Sequence, residues 1–330
     1  MFNEKNIIRL ERFGTDMDNR LLVVGSTNMD MILRCGRIPS AGETVLSYDS
    51  YGYAPGGKGA NAACAAKKLG ADVVFCTRVG KDTNGSKLYS LYESIGIDMR
   101  CVYTDKVEQT GLAVVMVEKN GTNRIIVYPG ANTKISDRDI EDAFLSYPDA
   151  VLTQFEIGED AVVYTAKVAN ENNVPLIVDA GPARADYPIG KLGRIEIFSP
   201  NETETYILTG IQPGSVEDCL RASSALCAKA DIKYVVLKLS DRGAFIYDGK
   251  YFDIVPSYSV NAVDTTAAGD AFTAALATEY IRSGKDIYKA CKYANAVGAL
   301  TVTKAGAFTS LPDAEEVKQF MERNKTKESI

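Results

Sequence analysis

The hydrophobic positions of this chain change period along its length, and the changes divide it. "LLVVG" (21–25) is a short apolar run closed by glycine, the pattern of a buried strand. From Met29 to Tyr53 the order breaks into β-branched residues, turns and alternation without a helical period, which predicts two or three antiparallel strands. "GANAACAAKKLG" (59–70) predicts a helix of small residues ended by Gly70. "ADVVFCTRVG" returns as a strand and "NGSKLYSLYESIG" as a helix, the rhythm of a parallel sheet. Two alternating runs within 110–132 flank "KNGT" and predict a hairpin bent at Asn120 and Gly121. The two irregular segments, about 30–54 and 107–129, are read as one antiparallel β lid interrupting an α/β core. Beyond it the strands are "DAVLTQF", "PLIVDAG", "RIEIFSP" and "KYVVLKL", with helices between them. A late hairpin turns at Asp248 and Gly249, and two final helices begin near Gly269 and Asp286. The polar tail "ERNKTKESI" is expected to fray, and residues 1–19 to form an extension outside the core.

Composition narrows the function. A chain of 330 residues can bury a large core. A net charge of −6 argues against a nucleic-acid partner, which would need a basic stripe to displace counterions from phosphates. There is no histidine, which removes Ser-His-Asp and Cys-His catalysis and any zinc–histidine site. Acid–base work falls to Asp, Glu, Lys or Tyr. The seven cysteines are odd in number and form no C-x-x-C pair, so reduced, buried thiols are expected. The N-terminus has no signal-peptide pattern and no stretch reaches the apolar length of a membrane helix, so a cytoplasmic protein without membrane partners is expected.

The chemistry-bearing stretches sit where strands end or helices begin. "GYAPGGKGAN" (52–61) matches a phosphate loop through Gly57 and Lys58, but Gly59 stands where that loop needs a magnesium-binding hydroxyl. In "VDTTAAGDAF" an apolar helix starts directly after small residues, so backbone N–H groups can approach an anion and the helix dipole favours it. Asp270, in the first turn, has two roles of about equal weight: a helix cap, or a general base beside an anion site. Asp264 caps a turn, pairs with a lysine or binds a cation near the anion site. In "PNETE", Asn201 and Glu204 form a capping pair, sufficient by itself; the alternative is that they orient water around Mg²⁺. Asn28 and Asp30 follow the first strand, where ligands of open α/β sheets gather, and Glu156 follows another strand in the same way. The dinucleotide fingerprint is missing, which weighs against a dehydrogenase.

From about Leu21 to Pro312 the chain resembles the ribokinase-like carbohydrate kinases. "GGKGANAACAAKKLG" and "VDTTAAGDAF" carry the resemblance, with "GSTNMD", "PNETE" and "VTKAGAFTSLP" in the expected order. It implies a three-layer α/β/α fold with a mostly parallel sheet and a small antiparallel β lid. It implies an ATP-dependent sugar kinase, with D-ribose phosphorylated at O5 as the first expectation. Asp270 would be the base, and Ala267, Ala268 and Gly269 an anion hole for the transferred phosphoryl group. Asn28, Asp30, Gly56, Gly57, Lys58, Asn61 and Glu156 would surround the sugar, with Ala113 and Val115 on the inner face of the lid. Asn201 and Glu204 would serve Mg²⁺ and phosphate; Lys238, Ser240, Asp241, Arg242 and Gly243, with Asn295, would border the adenine nucleotide. Asp264, Thr266, Thr301, Lys304, Gly306 and Ser310 match the family's potassium loop, where several ligands are main-chain carbonyls. In this family such lids also pair two subunits, so a homodimer is expected. The alternatives are another acceptor (deoxyribose, fructose, tagatose or a nucleoside) or a catalytically silent sugar-binding protein. The chain departs from the common family pattern at Lys238 and Ser240, where Thr and Gly are usual, at "DAGPA" (179–183), where "NPAPA" is frequent, and at Ala271, where Thr is common.

Overall fold

The computed structural model describes residues 19–119 and 122–328. The expected N-terminal extension, apart from Asn19, and the bend at Asn120 and Gly121 lie outside the described residues. Among the described residues nine strands form one sheet in the order β13-β12-β11-β10-β9-β8-β1-β4-β5. Its parallel members are β1 (Arg20–Val24), β4 (Asp72–Gly80), β5 (Val102–Asp105), β8 (Ala150–Gln154), β9 (Leu176–Asp179), β10 (Arg194–Ser199) and β11 (Asp231–Lys238). The late hairpin, β12 (Ala244–Tyr247) and β13 (Phe252–Val255), adds an antiparallel edge.

The period of two along each strand divides the core into two layers. In β1, Leu21 and Val23 pack with α1 (Lys58–Lys68), α7 (Ala268–Arg282) and α8 (Ile287–Thr301). Leu22 and Val24 face the opposite layer, with α3 (Asp137–Phe144), α4 (Glu159–Glu171) and α6 (Val216–Cys227). All four are fully buried, which is why this strand reads as an unbroken apolar run rather than as alternation. The small residues of α1 and α7 let these two helices pack directly on each other.

The lid is a second sheet, ordered β3-β2-β6-β7, from β2 (Asn28–Cys35), β3 (Gly52–Gly56), β6 (Gly111–Glu118) and β7 (Asn123–Tyr128). Its two outer pairings are antiparallel, as expected. The central pairing, β2 with β6, is parallel from Asn28↔Gly111 to Cys35↔Glu118. The reason is topological: β2 continues from β1 and β6 follows β5, both strands of the parallel sheet, so both segments leave it in the same sense. Asp82, the cap of α2 (Thr83–Ser94), fixes the second root, accepting from Thr110 N and Oγ1 at 2.8 Å each.

The tail corrects the sequence reading. A further helix, α9 (Ala314–Glu328), follows the two expected final helices and takes up most of the segment expected to fray. Its Val317 is fully buried in the same layer as α1 and α7, and Phe320 and Met321 pack against that layer, so a short apolar face holds a mostly polar helix. All seven cysteines are free thiols, six of them buried, and no helix among the described residues is long and apolar enough to cross a membrane.

Candidate active site

Five strands that are neighbours in the sheet, β1, β8, β9, β10 and β11, end beside one another, and each places a polar residue at or just after its C-terminus. These are Asn28, Glu156, Asp179, Asn201 and Lys238. The crevice at that edge of an open α/β sheet is where ligands bind. At about 4.8 Å per strand, the row spans about 19 Å, long enough for two substrates end to end.

At the β1 end, glycines bring the backbone together. A Cβ on Gly59 would lie 2.5 Å from Gly25 C and Ser26 N, and one on Gly57, whose φ is 91°, 2.8 Å from Asn28 N. A Cβ on Gly56 would lie 2.2 Å from Oδ2 of Asp30. The "GGKG" loop is thus a packing device that lays the start of α1 against the strand end. Glu156 ties the two segments, accepting from Ser26 Oγ at 2.6 Å and from Lys58 N at 2.9 Å. Asn28 is buried, and its Oδ1 accepts from Asn132 Nδ2 at 2.8 Å. Asn132, which the sequence reading passed over, also accepts from Thr27 N and donates to Thr27 O.

Asp30 stands apart. Its Oδ1 is buried without a hydrogen-bond partner among the described residues. Burial, with Glu156 and Asp270 nearby, pushes its carboxyl up to about 7. Ala113, its partner across β2 and β6, is buried, while Val115 is half-buried.

Asp270 joins this cluster from the first turn of α7. It is 7 % exposed and accepts from Asn61 Nδ2 at 2.8 Å, with Lys58 Nζ at 3.5 Å. Asp270 makes no capping bond at the helix start, where Ala267 is the N-cap residue. Ala267 holds φ 61°, a left-handed conformation that costs a non-glycine residue about 1–2 kcal/mol. The Ala268 N–H donates to Thr265 O at 3.2 Å, so an anion at this helix start would compete with that turn bond for it. Lys58 is raised above an ordinary lysine by Asp270 first, against burial, and then by Asp179, Glu204 and Glu156.

Further along the row, Asn201 and Glu204 form a full capping box on α5 (Glu202–Thr209), with both bonds at 2.8 Å. That bond uses Glu204 Oε2. Oε1 points the other way, 2.5 Å from where a Gly181 Cβ would lie, a position that is also 2.9 Å from Lys58 Nζ. Glu204 is buried, and burial raises its carboxyl above the usual range. Capping therefore uses one oxygen of Glu204 and leaves the other beside Gly181 and Lys58.

The β11 end opens into a cavity of about 810 Å³ lined by Asn201, Lys238, Ser240, Asp241, Gly243, Ala268, Gly269 and Asn295. Arg242 does not line it; its guanidinium turns to Glu202 and to the carbonyls of Pro213 and Gly214. Asn295 donates to Val255 O and Pro256 O, pinning the start of the 257–265 segment that forms another wall. That wall, including Tyr258, Val260 and Ala262, carried no sequence signal. Lys238 lines this cavity, and its ammonium pairs with Asp179 at 2.7 Å.

The expected cation loop is tied through Asp264, whose Oδ1 accepts from Thr266 N and Oγ1 and whose Oδ2 accepts from Gly306 N at 2.8 Å. Burial opposes its ionisation, but these bonds outweigh it and hold the carboxyl low. Thr301 and Ser310 donate to local carbonyls, Val297 O and Ala307 O, and Lys304 turns outward to Glu316. With Asp264 committed to the turn, a cation here would draw mainly on main-chain oxygens. Among the described residues no three Asp, Glu, Cys or His side chains converge on a metal position.

Residues 18–314 match the pfkB family carbohydrate kinase. The chain is 34 % identical to a ribokinase of Haemophilus influenzae, over 93 % of this chain and 99 % of that one. It is 32 % identical to a deoxyribokinase of Salmonella typhi, over 92 % and 99 %. The solved structure of Arabidopsis thaliana ribokinase complexed with ribose and ATP superimposes with a TM-score of 0.82 at 33 % identity, covering 91 % of this chain and 98 % of that one. A glycine loop, an "AAGD" helix start and a match over most of the chain thus agree: the chain belongs to the pfkB family of carbohydrate kinases.

Proposed function

We propose that this chain is an ATP-dependent sugar kinase that phosphorylates D-ribose at O5 to give ribose 5-phosphate. The observation that carries the reading is the contact of Asp270 with Asn61 and Lys58. It sets a carboxylate between a polar acceptor loop and a helix start suited to an anion, the place for a base in alcohol-to-phosphoryl transfer.

Asn28, Asp30, Lys58, Asn61 and Glu156, with the close backbone at Gly56 and Gly57, make the sugar end. The unpartnered Asp30 oxygen fits an acceptor for sugar hydroxyls. Asp270 takes the hydroxyl proton, the sugar oxygen attacks the γ-phosphorus in line, and the bond to the β,γ-bridging oxygen breaks to release ADP. Ala267, Ala268 and Gly269 receive the phosphoryl oxygens. The lid excludes water, which limits wasteful hydrolysis. Asn201 and Glu204 would hold Mg²⁺ through water and phosphate, as suits a hard cation that retains its waters, and the ion would supply neutralisation of phosphate charge. K⁺ in the 264–310 loop would set the geometry of the segment leading to Ala267. The exposed outer face of the lid pairs two copies, and the protein works in the cytoplasm.

The relative named deoxyribokinase favours a second acceptor, 2-deoxyribose. ADP release in the presence of ribose, deoxyribose, fructose, tagatose and nucleosides, with and without K⁺, tests the whole reading. Strongest release with ribose is the expected result. Sugar binding without ADP release would replace a kinase with a silent binding protein.

A further inference from the structure

Lys238 is the last residue of β11, and only 8 % of it is exposed. Its ammonium donates to Asp179 Oδ2 at 2.7 Å and to Thr273 Oγ1 at 3.3 Å. Thr273 in turn donates to the same Asp179 oxygen at 2.5 Å. Asp179 is 2 % exposed; burial opposes its charge, but Lys238, then Lys58 and the two hydrogen bonds keep its carboxyl below the usual range. Two stretches that depart from the common family pattern, "DAGPA" and "LKLSDRG", therefore meet in one buried ion pair.

A buried pair is weak evidence of added stability, since desolvation offsets its attraction. Three observations point beyond packing. Lys238 lines the cavity of about 810 Å³ together with Ala268 and Gly269. Its Nζ lies 3.7 Å from the position a Cβ on Gly269 would take, beside the first turn of α7. An ammonium carries three donors, and Asp179 and Thr273 take two. A charged donor with one N–H to spare thus stands at a helix start that itself favours anions.

Building on the kinase reading, we propose that Lys238 is a further catalytic residue, donating to an oxygen of the γ-phosphoryl group as it passes from ATP to the sugar, and that Asp179 and Thr273 are the positioning residues that aim it. Lys238 exchanges no proton. The sugar oxygen–phosphorus bond forms, the bond to the bridging oxygen of ADP breaks, and the hydroxyl proton goes to Asp270. The ammonium lowers the cost of charge on the oxygens in flight.

The test compares wild type with Lys238→Met/Asp179→Asn, which removes both charges together and leaves neither buried alone. Calorimetry gives the affinities for ADP and for the β,γ-imido analogue of ATP, each with Mg²⁺. The ratio of the two should shift against the analogue by about fivefold or more, with kcat lowered by about tenfold or more. A smaller shift in the ratio overturns the proposal, whatever happens to the melting temperature. If the double variant does not fold, Thr273→Val is read by the same ratio and the same threshold. Wild type that binds both nucleotides yet phosphorylates no sugar would defeat the kinase reading instead, while the ratio still reports on Lys238.

Discussion

Asn61 Nδ2 donates to Oδ2 of Asp270 across 2.8 Å, linking the first turns of α1 and α7 over 209 positions of sequence. The bond leaves Oδ1 of Asp270 facing Lys58 at 3.5 Å and holds the carboxylate at the junction of the glycine loop and the start of α7. Asp270→Asn keeps the shape and removes the proposed base. Turnover should fall by about 10²–10⁴ with little change in nucleotide affinity. A fall of less than about tenfold in a steady-state assay would show that Asp270 is not the base.

Asp30 should make the proposed sugar end sensitive to pH. Its carboxyl, raised to about 7, is protonated in the folded protein at pH values where the unfolded chain, at about 3.8, has lost the proton. The unfolded state therefore binds fewer protons in that window, and the stability that Asp30 contributes below it is lost as pH rises through about 7. Binding runs in the opposite sense, because the ionised carboxylate can accept from two sugar hydroxyls. Sugar affinity should weaken below pH 7 by up to about tenfold per unit. In Asp30→Asn both the slope of melting temperature and that of sugar affinity across pH 5–8 should flatten. A slope that persists in the variant assigns the titration to another group.

Much of this was legible in the sequence because period and punctuation report local structure. Leu21 to Val24 read as a buried strand because both faces of β1 are covered. Gly249, at φ 92°, read as a hairpin bend because few other residues tolerate that conformation. What stayed hidden depends on contacts between distant positions. The parallel pairing of β2 with β6 follows from the direction of the core strands and leaves no mark in either segment. Asn132 sits in a short turn, and nothing nearby shows that it reaches Asn28 from 104 positions away. The partnership of Asp179 with Lys238 could be found only as two unexplained departures from a family pattern. Helix α9 was missed because only a short apolar face, Val317 with Phe320 and Met321, anchors its mostly polar sequence.

Two glycines of one loop should fail differently. A Cβ on Gly59 meets backbone, at 2.5 Å from Gly25 C and Ser26 N, and backbone there cannot yield without moving β1 away from α1. Gly59→Ala should therefore cost about 1–3 kcal/mol and lower the melting temperature. The three atoms nearest a Cβ on Gly56 all belong to the side-chain carboxylate of Asp30, the first at 2.2 Å, and a side chain can rotate away. Gly56→Ala should keep most of the melting temperature and lose sugar affinity. Thermal unfolding beside sugar calorimetry separates the two, and equal loss of stability in both variants would contradict the distinction.

The outer lid strand carries the last prediction. Every residue of β7 is exposed, and Ile125, Ile126, Val127 and Tyr128 form one apolar run at 55 %, 64 %, 40 % and 46 % exposure. The tyrosines Tyr51 and Tyr53 lie exposed at the opposite side of the same sheet. An apolar edge strand with unpaired backbone groups invites another copy of the chain to cover it. A charge in the middle of that run should oppose burial between copies while leaving the monomer's core untouched, since Ile126 packs in neither core layer. Wild type should therefore sediment as a dimer and Ile126→Glu as a monomer, with sugar affinity weakened because the lid loses its support. Wild type that sediments as a monomer at micromolar concentration would remove the lid as the subunit contact.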